Sequence, residues 1–129
     1  MFKKLKHVAK VTESVIREKI KSHKRSSKWD SVRDEYVKNN PACVACGSKR
    51  RIQVHHIEPV SNRPDLELDQ SNLLTLCMDV EECHFRIGHG GSFKHYNPDV
   101  LLDAKKFKET NDKKERAMVI ENARAKRLD

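Results

Sequence analysis

The hexapeptide VHHIEP, Val54 to Pro59, sets two imidazoles side by side in a chain otherwise rich in lysine, glutamate and aspartate. Neighbouring side chains of a β-strand point to opposite faces, so His55 and His56 divide their work. One ring can turn inward to a metal ion shared with a second histidine, while the other faces outward. Five of the seven histidines lie between positions 55 and 95. His84 follows Cys83 directly and His89 stands in GHGG, about a helical turn on, so both can reach one ion. Asn72, in SNLLTLC, puts a carboxamide between the two groups. His7, His23 and His95 read as ordinary surface or core residues.

Four cysteines form two close pairs, Cys43 and Cys46 in CVAC, then Cys77 and Cys83 in CMDVEEC. The first pair is followed by GSK, the tight glycine turn of a zinc knuckle. Four thiolates at about 2.3 Å in a tetrahedron suit Zn²⁺, and such a site would tie two distant loops together. The alternatives are disulfides, which rarely persist inside a cell, or four unrelated buried thiols. A staple is needed on other grounds. Charged residues make up 36% of the 129 and aromatics only 5%, too little apolar material for the usual large core.

The elements that must carry these groups are short. Val8, Val11, Val15 and Ile16 recur near helical spacing, which predicts an amphipathic basic helix over 8–21. KSHKRSSK, 21–28, reads as a linker in which Ser26 or Ser27 caps the next helix. That helix aligns Trp29, Val32, Tyr36 and Val37 and ends at Pro41. Residues 42–96 are irregular, with strand signals at 51–57 and 73–77. Asn97 as cap, Pro98 at the first position and Asp99 in the first turn predict a helix over 98–109, packed through Val100, Leu101 and Phe107. A last helix over 112–127 has a thin apolar face of Ala117, Ile120 and Ala123.

Net charge is +8 and uneven. Residues 1–30 carry ten Lys/Arg against three acids, the middle is near neutral, and 99–129 carry nine against seven. A basic amino-terminal arm beside a neutral centre suits a polyanion binder, although a solvated face gives the same count. No apolar run approaches the roughly 20 residues of a membrane span, and the start lacks the apolar core of a secretory signal, so the chain is expected inside the cell.

Taken together, CVAC, VHHIEP, SNLLTLC, CHFRIGH and YNP resemble the HNH endonucleases of the zinc-knuckle type common in bacteriophages and prophages, over about residues 28–107. The resemblance implies an α+β fold: a small ββα-metal, treble-clef-like core braced by zinc on Cys43, Cys46, Cys77 and Cys83, with flanking helices. It divides the chain into a basic helical arm and linker (1–27), a nuclease domain (28–109) and a C-terminal helix (110–129). It makes His55, His84 and His89 the ligands of a catalytic Mg²⁺, Mn²⁺ or Ni²⁺. His56 becomes the general base, and Asn72 pins the loop between the strands and orients His56. Phosphate contacts are expected from Arg50, Arg51, Arg63 and Arg86, and from Lys3, Lys4, Lys6 and Lys10 in the arm. The implied activity is one-metal hydrolysis of DNA, by a phage-encoded protein acting in the host cytoplasm. Two other classes share these features: a non-catalytic zinc-stabilised DNA-binding module, and a phage packaging accessory that binds a terminase or portal.

Overall fold

A computed structural model describes residues 25–129. The helix expected over 8–21, with Lys3, Lys4, Lys6 and Lys10, lies outside the described residues. The first element, α1 (Trp29–Asn39), forms where Trp29, Val32, Tyr36 and Val37 share a face. It stops before Pro41, which disfavours a helical conformation at Asn40. Neither serine occupies its cap. Lys28 does, with no side-chain bond, and the Ser26 hydroxyl accepts the Lys28 N–H at 3.1 Å in the turn just before it.

The sheet has two antiparallel strands, β1 (Ile52–His56) and β2 (Leu73–Cys77), with His55 opposite Leu74 and His56 opposite Leu73. All of β2 is buried. Leu74 and Leu76 enter the core, while Thr75, on the alternate face, donates its hydroxyl proton to the Asn40 carbonyl at the end of α1 (2.7 Å). The long connection 57–72 contains two short 3₁₀ turns, Pro64–Leu66 and Gln70–Asn72. Among the described residues the architecture is the small α+β arrangement expected.

The third core element differs from a regular α-helix. His84–Gly88 is a single π-wound turn, in which the His89 N–H reaches back five residues to the His84 carbonyl at 3.1 Å. Cys83 before it and the glycines at 88, 90 and 91 leave no room for further helix. Gly90 has φ +60°, and a Cβ there would lie 2.8 Å from the Ala123 carbonyl oxygen.

Two helices close the core, α2 (Val100–Glu109) and α3 (Lys113–Lys126). α2 starts two residues later than expected because Asn97 is drawn inside. Its Nδ2 donates to Ile87 O (3.0 Å) and to Asp103 Oδ2 (2.8 Å), while its Oδ1 accepts the Asp99 N–H (2.9 Å). Val100, Ala104 and Phe107 fill the core, but Leu101 is exposed, against expectation, as is Leu102. The helical face that meets the core runs 100, 103, 104, 107, and its polar member Asp103 is satisfied by Asn97 and by Lys126 Nζ of α3 (2.9 Å). α3 is capped by Asp112, which accepts from Lys114 N–H and Glu115 N–H at 2.8 and 3.1 Å. It buries Val119 and Ala123, with Ile120 half-buried, whereas Ala117 faces solvent. Helical periodicity located the stripe but misplaced its edge by one residue in each helix.

This packing predicts that Phe107→Ala costs about 3–5 kcal/mol of stability, as truncation of a fully buried aromatic does. Leu102→Ala, on the exposed face of the same helix, should stay within about 0.5 kcal/mol. Urea denaturation followed by circular dichroism measures both.

Candidate active site

The knuckle forms first along the chain. The Cys43 carbonyl accepts the Gly47 N–H (2.9 Å), the Cys43 N–H donates to Ser48 O (2.8 Å), and Gly47 takes φ +80°, which a glycine adopts without strain. The Val44 N–H donates to Thr75 O (3.0 Å), seating the knuckle on β2 beside Cys77. Cys83 arrives from the loop ahead of the π turn. One sulfur from each of Cys43, Cys46, Cys77 and Cys83 lies within 4.8 Å of the others, and no disulfide joins them. Thiols this close cannot all ionise unaided. A hydrogen bond from Cys83 lowers Cys43 to about 5, burial raises Cys46 to about 12, and the bond to Cys43 pushes the buried Cys83 thiol up. A divalent cation resolves that conflict, and four sulfurs in this arrangement fit one.

The second cluster assembles from β1, the π turn and the residue after it. His55 is buried, 2% exposed, and its Nε2 is the one buried side-chain polar atom without a hydrogen-bond partner among the described residues. His84 Nε2 and His89 Nε2 stand 3.2 Å apart, and the ligand atoms of all three rings lie within 4.8 Å. The remaining nitrogens of the other two are occupied. His89 Nδ1–H donates to the His95 carbonyl (2.7 Å), and His84 Nδ1–H donates to Gln53 Oε1 (2.6 Å). Those bonds select the tautomers whose Nε2 lone pairs face inward. Burial is the leading cause that lowers all three pKa values, His84 to about 4, so the rings are neutral donors at neutral pH. The orphaned Nε2 and the neutral, oriented imidazoles fit a divalent cation.

His56 leaves the strand differently. Its ring lies 4.6 Å from that of Trp29, tilted 34°, and its Nε2–H donates to the Glu67 carbonyl at 2.9 Å. The Nδ1 lone pair therefore remains available. Burial lowers its pKa most, the Glu67 bond opposes this, and Arg25 lowers it further. His56 nevertheless lines the same cavity of about 260 Å³ as His55, His84 and His89, together with Arg25 and Tyr96.

Asn72 is buried and does not touch His56 in the described contacts. Its Oδ1 accepts the Glu58 N–H (2.8 Å) and its Nδ2 donates to Glu58 O (3.0 Å) and Leu66 O (3.4 Å). The last of these is one residue from the Glu67 carbonyl that holds His56. The basic candidates scatter. Arg50 and Arg51 are exposed before β1, and Arg86 pairs with Glu81 at 3.6 Å. Arg63 is mostly buried in a two-pronged pair with Asp65, at 2.9 and 2.8 Å, so its fork is already engaged.

Four further groups complete the site: Gln53, Trp29, Arg25 and the carbonyl of His95. Gln53 was findable, because residues two apart on a strand share a face and it precedes His55 by two. The others arrive through tertiary contacts that no local pattern encodes.

Residues 43–90 match the family model of the HNH endonucleases, a stretch that opens on Cys43 and closes just past His89. Comparisons with curated proteins and with solved structures gave no match.

The Gln53 bond predicts that Gln53→Leu weakens Mn²⁺ binding at the histidine cluster by about 10–100-fold, the usual effect of losing a ligand's supporting partner. Isothermal titration of the variant against the parent reads this directly.

Proposed function

We propose that this HNH domain hydrolyses DNA phosphodiester bonds, with His56 as general base and a catalytic divalent cation held by His55, His84 and His89. Zinc on Cys43, Cys46, Cys77 and Cys83 braces it. The observation that carries the reading is the divergence of two adjacent histidines. His55 buries an unpartnered Nε2 among two other imidazoles, while His56 keeps a free Nδ1 at the same cavity. A module that only bound DNA would need the cysteine cluster and have no use for the second one.

In the proposed reaction Nδ1 of His56 takes a proton from the water that attacks phosphorus, and the 3′ oxygen departs. The Glu67 carbonyl fixes the Nε2–H tautomer, and the Trp29 face limits the ring's rotation. Asn72 acts through the loop by holding Glu58 and Leu66, which keeps that carbonyl in place. The cation, when bound, supplies Lewis-acid stabilisation of charge on the phosphate and the leaving oxygen. His55, His84 and His89 are neutral and leave its charge undiminished for that purpose. Arg25, over the Trp29 ring at 5.1 Å and at the cavity's edge, is suited to contact substrate phosphate.

Plasmid DNA incubated with the purified chain and Mg²⁺, Mn²⁺ or Ni²⁺ should be cut, and EDTA should stop the cutting. His56→Ala should lower the rate by about 10²–10⁴-fold while metal binding by calorimetry is retained. His55→Ala should instead lose affinity for the catalytic cation. Metal loss in His56→Ala with metal retained in His55→Ala would reverse the two roles, and parental cleavage by both would end the nuclease reading.

The cysteine cluster predicts one tightly held zinc per chain by elemental analysis. Cys43→Ser should unfold the centre of the chain, seen as lost protection in amide exchange over 43–90, because the remaining core is small. A folded, zinc-free preparation would refute this.

A further inference from the structure

A second cavity of about 390 Å³ lies against the turn that carries His84 and His89, lined by the residues that follow each of them. Its floor is the π turn and the loop after it, where Phe85 and Arg86 directly follow His84, and Gly90 follows His89. Its other wall is α3 with the residue just past its end, through Arg124 and Arg127. We infer that this cavity is a subsite for a backbone phosphate of the DNA strand next to the one being cut. The inference rests on the nuclease reading.

Three guanidinium groups open here against one carboxylate, Glu121. They are engaged to different degrees. Arg127 Nη1 donates to the Gly90 carbonyl at 2.9 Å, which leaves the rest of its fork. Arg86 keeps Glu81 at 3.6 Å, with both side chains 38% exposed, a weak surface pair that a phosphate can displace. Arg124 is exposed and has no ion-pair or hydrogen-bond partner among the described residues. Forks of this kind match the tetrahedral oxygens of a phosphate better than a point charge does.

The backbone fixes this placement. A Cβ on Gly90 would lie 2.8 Å from Ala123 O and 2.9 Å from Arg127 Cβ, so α3 rests directly on the loop that carries His89. The cationic wall and the histidine cluster are therefore parts of one rigid corner. The inferred path of the strand carries a phosphate next to the scissile one onto that wall.

The test uses the full chain and a short fluorescein-labelled DNA duplex, with anisotropy measured across a range of NaCl and no added divalent cation. Arg124→Glu should weaken binding roughly tenfold or more, and reduce the slope of log affinity against log salt by about one unit. Arg124→Lys, which keeps the charge without the fork, should keep the slope and recover part of the affinity. Lys108→Glu, the same charge change on an exposed position of α2, measures the general effect of net charge. Circular dichroism and zinc content establish that each variant is folded. If Arg124→Glu matches Lys108→Glu in both affinity and slope, the subsite is wrong and the nuclease reading stands. If the parent shows no salt-dependent duplex binding, that reading falls and the subsite with it.

Discussion

Sulfur convergence is the constraint on which the rest of the site depends. Cys43 and Cys46 lie ahead of β1, Cys77 ends β2, and Cys83 immediately precedes His84, so a cluster within 4.8 Å joins the ends of both strands to the start of the π turn. Left to themselves these thiols oppose one another, as the spread between Cys43 and its neighbours indicates. A cation held there would convert that opposition into a cross-link. In a chain with few aromatic residues, such a link would do work that a larger apolar core does elsewhere. The cluster's last member, Cys83, directly precedes His84 and so sets where the π turn starts.

From that anchor the imidazoles are directed by what their other nitrogens meet. Burial keeps the rings neutral, and neutrality alone would leave each tautomer undecided. Gln53 and the His95 carbonyl decide it for His84 and His89, and the Glu67 carbonyl decides it for His56. The π winding contributes a further element of geometry. It brings positions five apart into line, so His84 and His89 share one side of the turn although an α-helix would splay them. What separates the proposed ligands from the proposed base is which lone pair remains and what it faces.

The carboxy-terminal helices do more than cover the core. Asn97 links the π turn to Asp103 of α2, and Lys126 of α3 reaches both Asp103 and Asp99. Asp103 is 1% exposed, so these partners are what make its burial tolerable. The result is a polar seam that holds α2 and α3 against the turn bearing the histidines. Tyr96 and Leu128 pair across the same region through their backbones.

Local pattern and chemistry alone determined a good deal. The two strands, the two clusters of metal-binding residue types and three of the helices within the described residues were all legible, because apolar periodicity, proline punctuation and Cys/His spacing are short-range signals. So was the divergence of the two neighbouring rings, since adjacent strand residues face opposite ways. The rest is tertiary. Leu101 reads as apolar and therefore core, but which edge of a helical stripe is buried depends on what it docks against, and here Asp103 takes the place because Asn97 and Lys126 satisfy it. Asn97 reads as a helix cap, and its Oδ1 does accept the Asp99 N–H, but its Nδ2 also ties it to the Ile87 carbonyl and to Asp103. Arg63 reads as a free cation, yet the local turn engages its fork with Asp65 two residues on. Trp29 meets His56 only when α1 folds back on β1, across a long stretch of intervening chain. Residue types and spacings specified which groups were capable of the chemistry. Only packing decided which lone pairs were left open, since that depends on partners brought together from distant parts of the chain.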